Sequence, residues 1–255
     1  MMKQMVIKYI YHSGYSISSG NDVLIFDYFS GSLPKFKDEG KNPTFFVTHA
    51  HSDHFNEEIL TIPGNSEFTY VLSSDVAELN KVDNIIYLGD SGASIEDKKK
   101  MYGPNIHYMK PNEMDNFGEL SVRTFGSTDQ GLSYLVDFKG ISIFHAGDLN
   151  LWIWDEDTEE EREQMRTDFM KEINKIKNYD VDVAFFPLDP RLKSRYADGF
   201  KIFLDKVNPS LIFPMHFKDD ISYNLSFLNE FTEYKSVFRP IFKKNQVFLI
   251  NFETQ

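Results

Sequence analysis

Short apolar and β-branched runs separated by turn residues dominate the first half of the chain. Such runs occupy positions 5–11, 15–18 and 23–28, and Ser19-Gly20-Asn21-Asp22 supplies a strong turn before the third. This pattern predicts an antiparallel meander. Further strands are predicted over positions 44–47, 68–72, 84–88, 120–125, 132–138 and 141–146, and a short helix over 74–79.

The second half adds helical periodicity. Over positions 155–177, apolar Met165, Phe169, Ile173 and Ile176 form one stripe, with glutamates early and lysines late as the helix dipole favours. The remaining predictions are helices over 198–207 and 226–234 and strands over 181–187, 211–214 and 247–252. Because strands and helices mix in both halves with no linker between them, we expect one α+β domain spanning residues 1–255.

Composition and charge restrict the classes of partner. The chain has 27 Lys+Arg against 39 Asp+Glu, a net charge of −12, which disfavours nucleic acid or an anionic membrane as the main partner. It has no cysteine, which excludes disulfides and thiolate metal sites. Since no signal peptide or membrane-spanning stretch is recognisable, we expect a soluble cytoplasmic protein.

The strongest chemical signal is the segment at positions 48–54, T-H-A-H-S-D-H, which directly follows a predicted strand. In extended backbone His49 and His51 point to one side, and Asp53 and His54 follow as the chain turns. A lone histidine here would be explained by an exposed polar loop. Three histidines and one aspartate this close together are better explained by metal binding. The segment therefore predicts a site for divalent metal ions.

This segment resembles the H-x-H-x-D-H signature of the metallo-β-lactamase superfamily. The segments F-H-A-G-D, ending at Asp148, and P-M-H-F, containing His216, are similar to two later family motifs in the same order. The general likeness is greatest to the metal-dependent hydrolases that resemble ascorbate-6-phosphate lactonase. The resemblance implies a four-layer αββα sandwich with the site at one edge of its two sheets.

The resemblance also implies a set of metal ligands. His49 and His51 would bind a first ion and Asp53 and His54 a second, with Asp148 bridging the two ions and His216 completing the second site. The cofactor implied is one or two divalent ions, Zn²⁺ or Mn²⁺, with Fe²⁺ as an alternative.

The chain departs from the family pattern at one motif. The family has another histidine ahead of the Gly-Asp motif, but positions 125–131 read F-G-S-T-D-Q-G. Asp129 could replace it as a carboxylate ligand, a water could fill the place, or Asp129 could simply stabilise a turn. A carboxylate ligand would shift the metal preference from Zn²⁺ toward Mn²⁺ or Fe²⁺.

Other residues are candidates for supporting roles. Asp27 could orient a ligand histidine or merely end a strand, and His145 is expected to pack or to support the site. Candidates for substrate contact are His12, Trp152, Trp154 and Arg191; the alternatives are a turn residue for His12 and core packing for the tryptophans. Arg191 suits an anionic group, since guanidinium matches phosphate and carboxylate geometry.

The resemblance implies a metal-dependent hydrolase whose metal-bound hydroxide cleaves a lactone, ester or phosphoester of a small anionic metabolite. Asp53 is the expected catalytic residue, orienting the nucleophile and accepting its proton. One alternative is a di-iron redox enzyme of the same fold, less expected because a flavin domain would need chain beyond Gln255. A second is a non-catalytic metal-binding protein. An RNA-processing nuclease is disfavoured by the acidic charge.

Overall fold

A computed structural model of the chain describes residues 2–34, 36, 39–62, 64, 67–77 and 105–253. The described residues form two large β-sheets with flanking helices, so the predicted α+β class is confirmed. The strand predicted at 84–88 lies outside the described residues, as does the end of the helix predicted at 74–79. No helix within the described ranges has the length and apolar character needed to cross a membrane.

The chain divides into two compact units, the first of which comprises residues 1–110 and 244–255. Its strands are β1 (Met2–Tyr11), β2 (Gly14–Ser19), β3 (Asp22–Phe26), β4 (Asn42–Val47), β5 (Thr69–Ser73), β6 (Ile106–Met109) and β13 (Val247–Glu253). They form a seven-stranded sheet in the order β13-β1-β2-β3-β4-β5-β6. A 3₁₀ helix, Glu57–Thr61, begins at Asn56, whose side chain accepts from the Glu58 N–H.

An aromatic and aliphatic core covers one face of this sheet. Phe45 and Tyr70 on neighbouring strands stack with ring centroids 5.3 Å apart, and Phe36 meets Phe45 edge-on at 5.9 Å. Ile59 of the 3₁₀ helix joins the same cluster. Burying a side chain of this size stabilises the fold by about 2–3 kcal/mol.

The ends of the strands in this unit explain where its polar residues gather. Strands β1, β3, β4 and β5 run in one direction. Both β1 and β3 are antiparallel to β2. Strand β4 is parallel to β3, and β5 is parallel to β4. Their carboxyl ends therefore lie at one edge of the sheet. The residues that follow them are His12, Asp27, the 48–54 segment and Asp75.

The second unit, residues 111–243, is built on a six-stranded sheet. Its strands are β7 (Met114–Phe117), β8 (Leu120–Phe125), β9 (Ser133–Phe138), β10 (Ile141–His145), β11 (Val183–Pro187) and β12 (Leu211–Met215), in the order β12-β11-β10-β9-β8-β7. Its helices are α1 (Glu159–Ile176), α2 (Asp198–Val207) and α3 (Ser222–Glu230), with 3₁₀ helices at Pro190–Arg195 and Thr232–Tyr234.

The helices of the second unit pack on phenylalanines of its sheet. Phe186 on β11 stacks on Phe203 of α2 at 4.4 Å and meets Phe169 of α1 at 6.4 Å. The prediction for α2 is confirmed at both ends. Helix α1 starts four residues later than predicted, because Thr158 and Glu161 form a capping box that fixes its first turn.

The prediction for α3 is wrong in register. The helix begins at Ser222, where the Asp220 carboxylate accepts hydrogen bonds from the Ser222 N–H and hydroxyl. It ends at Glu230 because Phe231 leaves the helical region at φ −122° and ψ 69°. The predicted residues 226–234 therefore span the end of α3 and a separate 3₁₀ turn.

Strands β8, β10, β11 and β12 of this unit also run in one direction. Both β8 and β10 are antiparallel to β9. Strand β11 is parallel to β10, and β12 is parallel to β11. Asp129, Asp148, Asp189 and His216 all follow the carboxyl ends of these strands. Ligand sites in sheets of this kind form at that edge. The assignment of residues 1–255 to one domain stays a prediction.

Candidate metal centre

In the first unit, the 48–54 segment folds back on itself directly after β4. The backbone N–H groups of His54 and Phe55 both donate to the carbonyl oxygen of His51, each at a distance of 3.0 Å. This turn brings the imidazole of His49 to ring-centroid distances of 4.1 Å from His54 and 4.6 Å from His51. The four metal-binding side chains expected from the sequence thus project from one short turn.

Asp27 is the anchor behind this turn. Its side chain is fully buried, and its backbone takes a left-handed conformation at φ 43°. One carboxylate oxygen accepts from the Thr48 N–H at 2.8 Å, and the other accepts from the Thr48 hydroxyl and from His54 Nδ1, both at 2.7 Å. Three donors satisfy the buried carboxylate and fix the start and the end of the segment.

These hydrogen bonds set the tautomers of two imidazoles. The Thr48 hydroxyl proton goes to Asp27, so Thr48 Oγ1 accepts from His49 Nδ1, 3.0 Å away. His54 Nδ1 donates directly to Asp27. Both rings are therefore left with Nε2 as the lone-pair nitrogen, and His49 Nε2 lies 3.0 Å from His51 Nδ1. A carboxylate behind an imidazole is the usual support of a metal ligand.

Two more residues of the first unit lie at this edge. His12 Nε2 is 3.4 Å from Asp53 Oδ2, and one ligand atom from each of His12, Asp53 and His54 lies within 4.8 Å of those of the other two. Asp75, which the sequence reasoning missed, accepts from the Ala50 N–H at 3.0 Å and holds the turn from its other side. Its position just after a buried strand was the available signal.

In the second unit, Asp148 and His216 approach each other closely. His216 Nε2 is 3.1 Å from Asp148 Oδ1, while His216 Nδ1 is 2.7 Å from Asp189 Oδ2. The Nδ1 proton is used on Asp189, so in the neutral ring Nε2 and the Asp148 oxygen are two acceptors facing each other. That arrangement is repulsive until a cation or proton lies between them, and imidazole with carboxylate is a suitable ligand pair for Zn²⁺, Mn²⁺ or Fe²⁺.

Asp189 is the second residue that the sequence reasoning missed. Burial raises the pKa of its carboxyl, but hydrogen bonds from His216 and Arg191 outweigh burial and hold the pKa at about 2. The Arg191 Nε donates to both carboxylate oxygens, at 2.9 and 3.0 Å. Asp189 is therefore ionised at neutral pH and joins a buried imidazole to a guanidinium that is 58% exposed.

The aromatic candidates of the second unit surround this guanidinium. The Trp152 and Trp154 rings are parallel within 7°, and the Arg191 guanidinium carbon lies 5.7 Å from each ring centroid. Trp152 Nε1 donates to the Asp148 carbonyl at 2.8 Å, and its ring meets His216 at 5.4 Å. The indole thus supports the backbone of one expected ligand and the ring of another.

The loop between β8 and β9 contains Asp129, the candidate replacement for the family histidine. An oxygen of Asp129 lies within 4.8 Å of an oxygen of Asp148. Thr128 fixes the loop, because its hydroxyl donates to the Asn150 carbonyl at 2.5 Å and accepts from the Asn150 N–H at 3.0 Å. Asp129 thus stands where a carboxylate ligand could act, and the turn interpretation stays open.

His145 has a supporting position. Its ring is fully buried beside Phe185 at 5.8 Å, and its Nδ1 accepts from the Gly147 N–H at 3.2 Å. In the part of the chain that the structure describes, it belongs to none of the clusters of converging ligand atoms. His145 therefore holds the turn that presents Asp148.

Comparison with known proteins shows what this chain is similar to. The sequence profile of the beta-lactamase superfamily domain matches residues 6–216. A protein named UPF0173 metal-dependent hydrolase from Natranaerobius thermophilus is 24% identical over 221 residues, 84% of this chain and 83% of that one. Igni18, described as a metallo hydrolase from Ignicoccus hospitalis, aligns over 99% of this chain and all of its own, with a TM-score of 0.65 and 14% identity.

A third likeness is to CmlA, described as a diiron beta-hydroxylase from Streptomyces venezuelae. It covers 98% of this chain and 54% of CmlA, with a TM-score of 0.60 and 11% identity. At these identities both structural likenesses concern the fold.

Proposed function

The chain belongs to the metallo-β-lactamase superfamily and is a metal-dependent hydrolase, and we propose that it cleaves a lactone, ester or phosphoester bond of a small anionic metabolite. The resemblance noted in the sequence is thereby confirmed at the level of the superfamily. The reaction and substrate class are our inference. We further propose a cytoplasmic enzyme that uses Zn²⁺ or Mn²⁺, with Fe²⁺ as the alternative.

We propose six metal ligands: His49, His51, Asp53, His54, Asp148 and His216. The observation that carries this assignment is the Asp27 anchor, which fixes His54 directly and His49 through Thr48 with their Nε2 lone pairs available. The fully buried Asp27 carboxylate orients the imidazoles of His54 and His49, as expected if both imidazoles bind a cation. The Asp189–His216 pair repeats the device in the second unit.

When bound, the ions supply a Lewis acid for the scissile group and lower the pKa of a water molecule toward neutrality. Asp53 is the residue we assign to the proton transfer. Its Oδ2 lies 3.4 Å from His12 Nε2 and its side chain is 33% exposed. We therefore assign Oδ1 to orienting that water and accepting its proton. His145 and Trp152 contribute by holding the Asp148 turn in place.

The preference for an anionic substrate rests on Arg191. Its guanidinium lies beside two indole rings, and the ionised Asp189 holds it in a fixed orientation. Guanidinium binds phosphate and carboxylate through paired hydrogen bonds. Since the side chain is 58% exposed, a ligand can reach it. Arg191, Trp152 and Trp154 are therefore our candidates for substrate contact.

Metal analysis combined with a substrate panel tests this function. The protein, purified without chelators, is assayed for bound metal and then for turnover of generic lactones, phosphomonoesters and phosphodiesters with Zn²⁺, Mn²⁺ and Fe²⁺ supplied separately. We expect bound metal and turnover in one of these classes. Bound metal with no turnover under any condition would favour the non-catalytic metal-binding alternative, and iron with oxygen consumption would favour the redox one. A protein that binds no metal and turns over none of these substrates would overturn the proposed function.

A further inference from the structure

We propose that His12 is an additional metal ligand, binding the same ion as Asp53 and His54. This inference rests on the proposed function, because it assumes that those two residues hold a divalent ion. The motifs of the resemblance assign no ligand to the turn after the first strand. The distances around His12 in the first unit support this role.

Distances separate two kinds of His–Asp pair in this chain. Asp27 with His54 and Asp189 with His216 are both 2.7 Å apart, the length of a strong charge-assisted hydrogen bond. His12 Nε2 and Asp53 Oδ2 are 3.4 Å apart, longer than the usual hydrogen-bond range. Two atoms bound to one tetrahedral ion at bonds of about 2.1 Å lie about 3.4 Å from each other. The His12–Asp53 distance therefore matches an edge of a coordination polyhedron.

His54 lies close enough to His12 and Asp53 to bind the same ion. One ligand atom each from His12, Asp53 and His54 lies within 4.8 Å of the other two. His54 has its Nδ1 proton engaged by Asp27, which reserves Nε2 for a cation. Two imidazole nitrogens and one carboxylate oxygen are a ligand set that suits Zn²⁺.

The fold holds His12 rigidly in this position. His12 and Ser13 form the two-residue loop between β1 and β2, and the His12 side chain is 1% exposed. Its N–H donates to the Tyr9 hydroxyl at 2.9 Å, and its ring meets Phe29 edge-on at 6.0 Å. The backbone is left-handed at φ 56°, a conformation that glycine adopts without strain. A turn alone does not call for a buried imidazole here, whereas a metal ligand does.

The proposal has a consequence for occupancy. The chain lacks the family histidine near position 129 but has an extra imidazole next to Asp53 and His54. The ion bound by His12, Asp53 and His54 is therefore the tighter one. We expect two binding steps of unequal affinity when metal-free protein is titrated with a divalent ion.

Titration of the full-length, metal-free protein with Co²⁺ tests the ligand role. Co²⁺ absorption reports the number and type of ligands, and competition with a chromophoric chelator gives the affinity for Zn²⁺. The variants are His12→Asn, which suits the left-handed turn, and His12→Gln, which keeps an amide able to hydrogen-bond Asp53. The matched control is His107→Asn, because His107 is exposed on β6.

We expect both His12 variants to weaken the tighter Zn²⁺ site by more than about 100-fold, beyond the 10–100-fold cost of losing an orienting residue. Their Co²⁺ spectra should differ from the wild-type spectrum, and His107→Asn should match the wild type. Full recovery of affinity in His12→Gln would overturn the ligand role in favour of a positioning role. So would His12→Asn with unchanged affinity and spectrum.

A measurement on the wild type removes any dependence on the folding of the variants. In ¹⁵N-histidine-labelled protein, Zn²⁺ should shift the His12 Nε2 resonance as a nitrogen bound to metal. An unshifted His12 resonance in protein that binds Zn²⁺ overturns this inference alone. Failure of the wild type to bind any divalent ion overturns the proposed function as well.

Discussion

The two units hold their proposed metal ligands by the same kind of hydrogen bond but in different surroundings. In each, a buried carboxylate fixes an imidazole at 2.7 Å, Asp27 behind His54 and Asp189 behind His216. Asp27 also accepts from the backbone and hydroxyl of Thr48, whereas Asp189 also accepts from the exposed guanidinium of Arg191. Asp27 is therefore hydrogen-bonded to the buried backbone, whereas Asp189 is hydrogen-bonded to a side chain that solvent and ligands can reach.

The two anchors therefore contribute differently to folding and to metal binding. Loss of Asp27 leaves the Thr48 N–H, the Thr48 hydroxyl and His54 Nδ1 without their shared acceptor, so it affects both folding and metal binding. Loss of Asp189 removes an ion pair as well as the support of His216, so its effect depends on pH. The comparison therefore predicts two anchors with similar roles in metal binding and different costs to the fold.

Removal of a ligand from either unit should have the largest effect. We expect His51→Ala and Asp148→Ala each to reduce turnover by about a thousandfold or more, because the charge that stabilises the transition state is lost. Circular dichroism and thermal melting should show a largely intact fold. Rates like those of the wild type in either variant would refute the ligand assignment for that unit.

Substitution of the first anchor should have the next largest effect. We expect Asp27→Ala to weaken metal binding by about 10–100-fold and to destabilise the metal-free protein by about 1–3 kcal/mol. Metal competition and urea denaturation measure the two effects. Asp180→Asn, a change at an exposed carboxylate, is the control and should change neither. An Asp27→Ala protein with wild-type affinity would show that the anchor is only structural.

The second anchor should show its effect in the acid range. The folded pKa of Asp189 is about 2, below the ordinary value of 3.8, so its contribution to stability is complete above pH 4 and disappears as the pH falls toward 2. For a shift of this size the contribution is about 2 kcal/mol. Denaturation of metal-free wild type and Asp189→Asn should therefore differ at pH 6 and converge near pH 2. A difference independent of pH would contradict the ion-pair explanation.

The smallest effect is expected at the guanidinium. Arg191→Ala should raise KM for an anionic substrate by about tenfold, with little change in kcat, since the group binds ligand away from the reacting bond. Arg191→Lys should restore part of the loss because it keeps the charge but not the paired geometry. A neutral substrate of the same reaction class is the control. Equal effects on both substrates would argue against an anion contact.

The sequence predicted those parts of the site that are local in the chain. The H-x-H-x-D-H segment stands directly after a buried strand, so its donors could be located without the fold. The roles of Asp75 and Asp189 could not be found in this way, because their partners Ala50 and His216 follow the ends of other strands. Only the strand order brings each carboxylate to its partner.

The fold shows the same limit at its helix ends. The predicted bounds of α2 are correct, but the acidic residues before α1 resembled a first helical turn. The Thr158–Glu161 capping box sets the observed start instead. The range predicted for α3 begins four residues too late, at 226 instead of Ser222. The Asp220 side chain determines where this helix begins.

Anomalous diffraction from crystals grown with Mn²⁺ or Zn²⁺ locates bound ions and so tests the proposed set of ligands. We predict anomalous peaks at coordination distance, about 2.0–2.3 Å, from atoms of His49, His51, Asp53, His54, Asp148 and His216. Well-ordered side chains with no anomalous peak near any of these six residues, in protein that turns over substrate, would contradict the account.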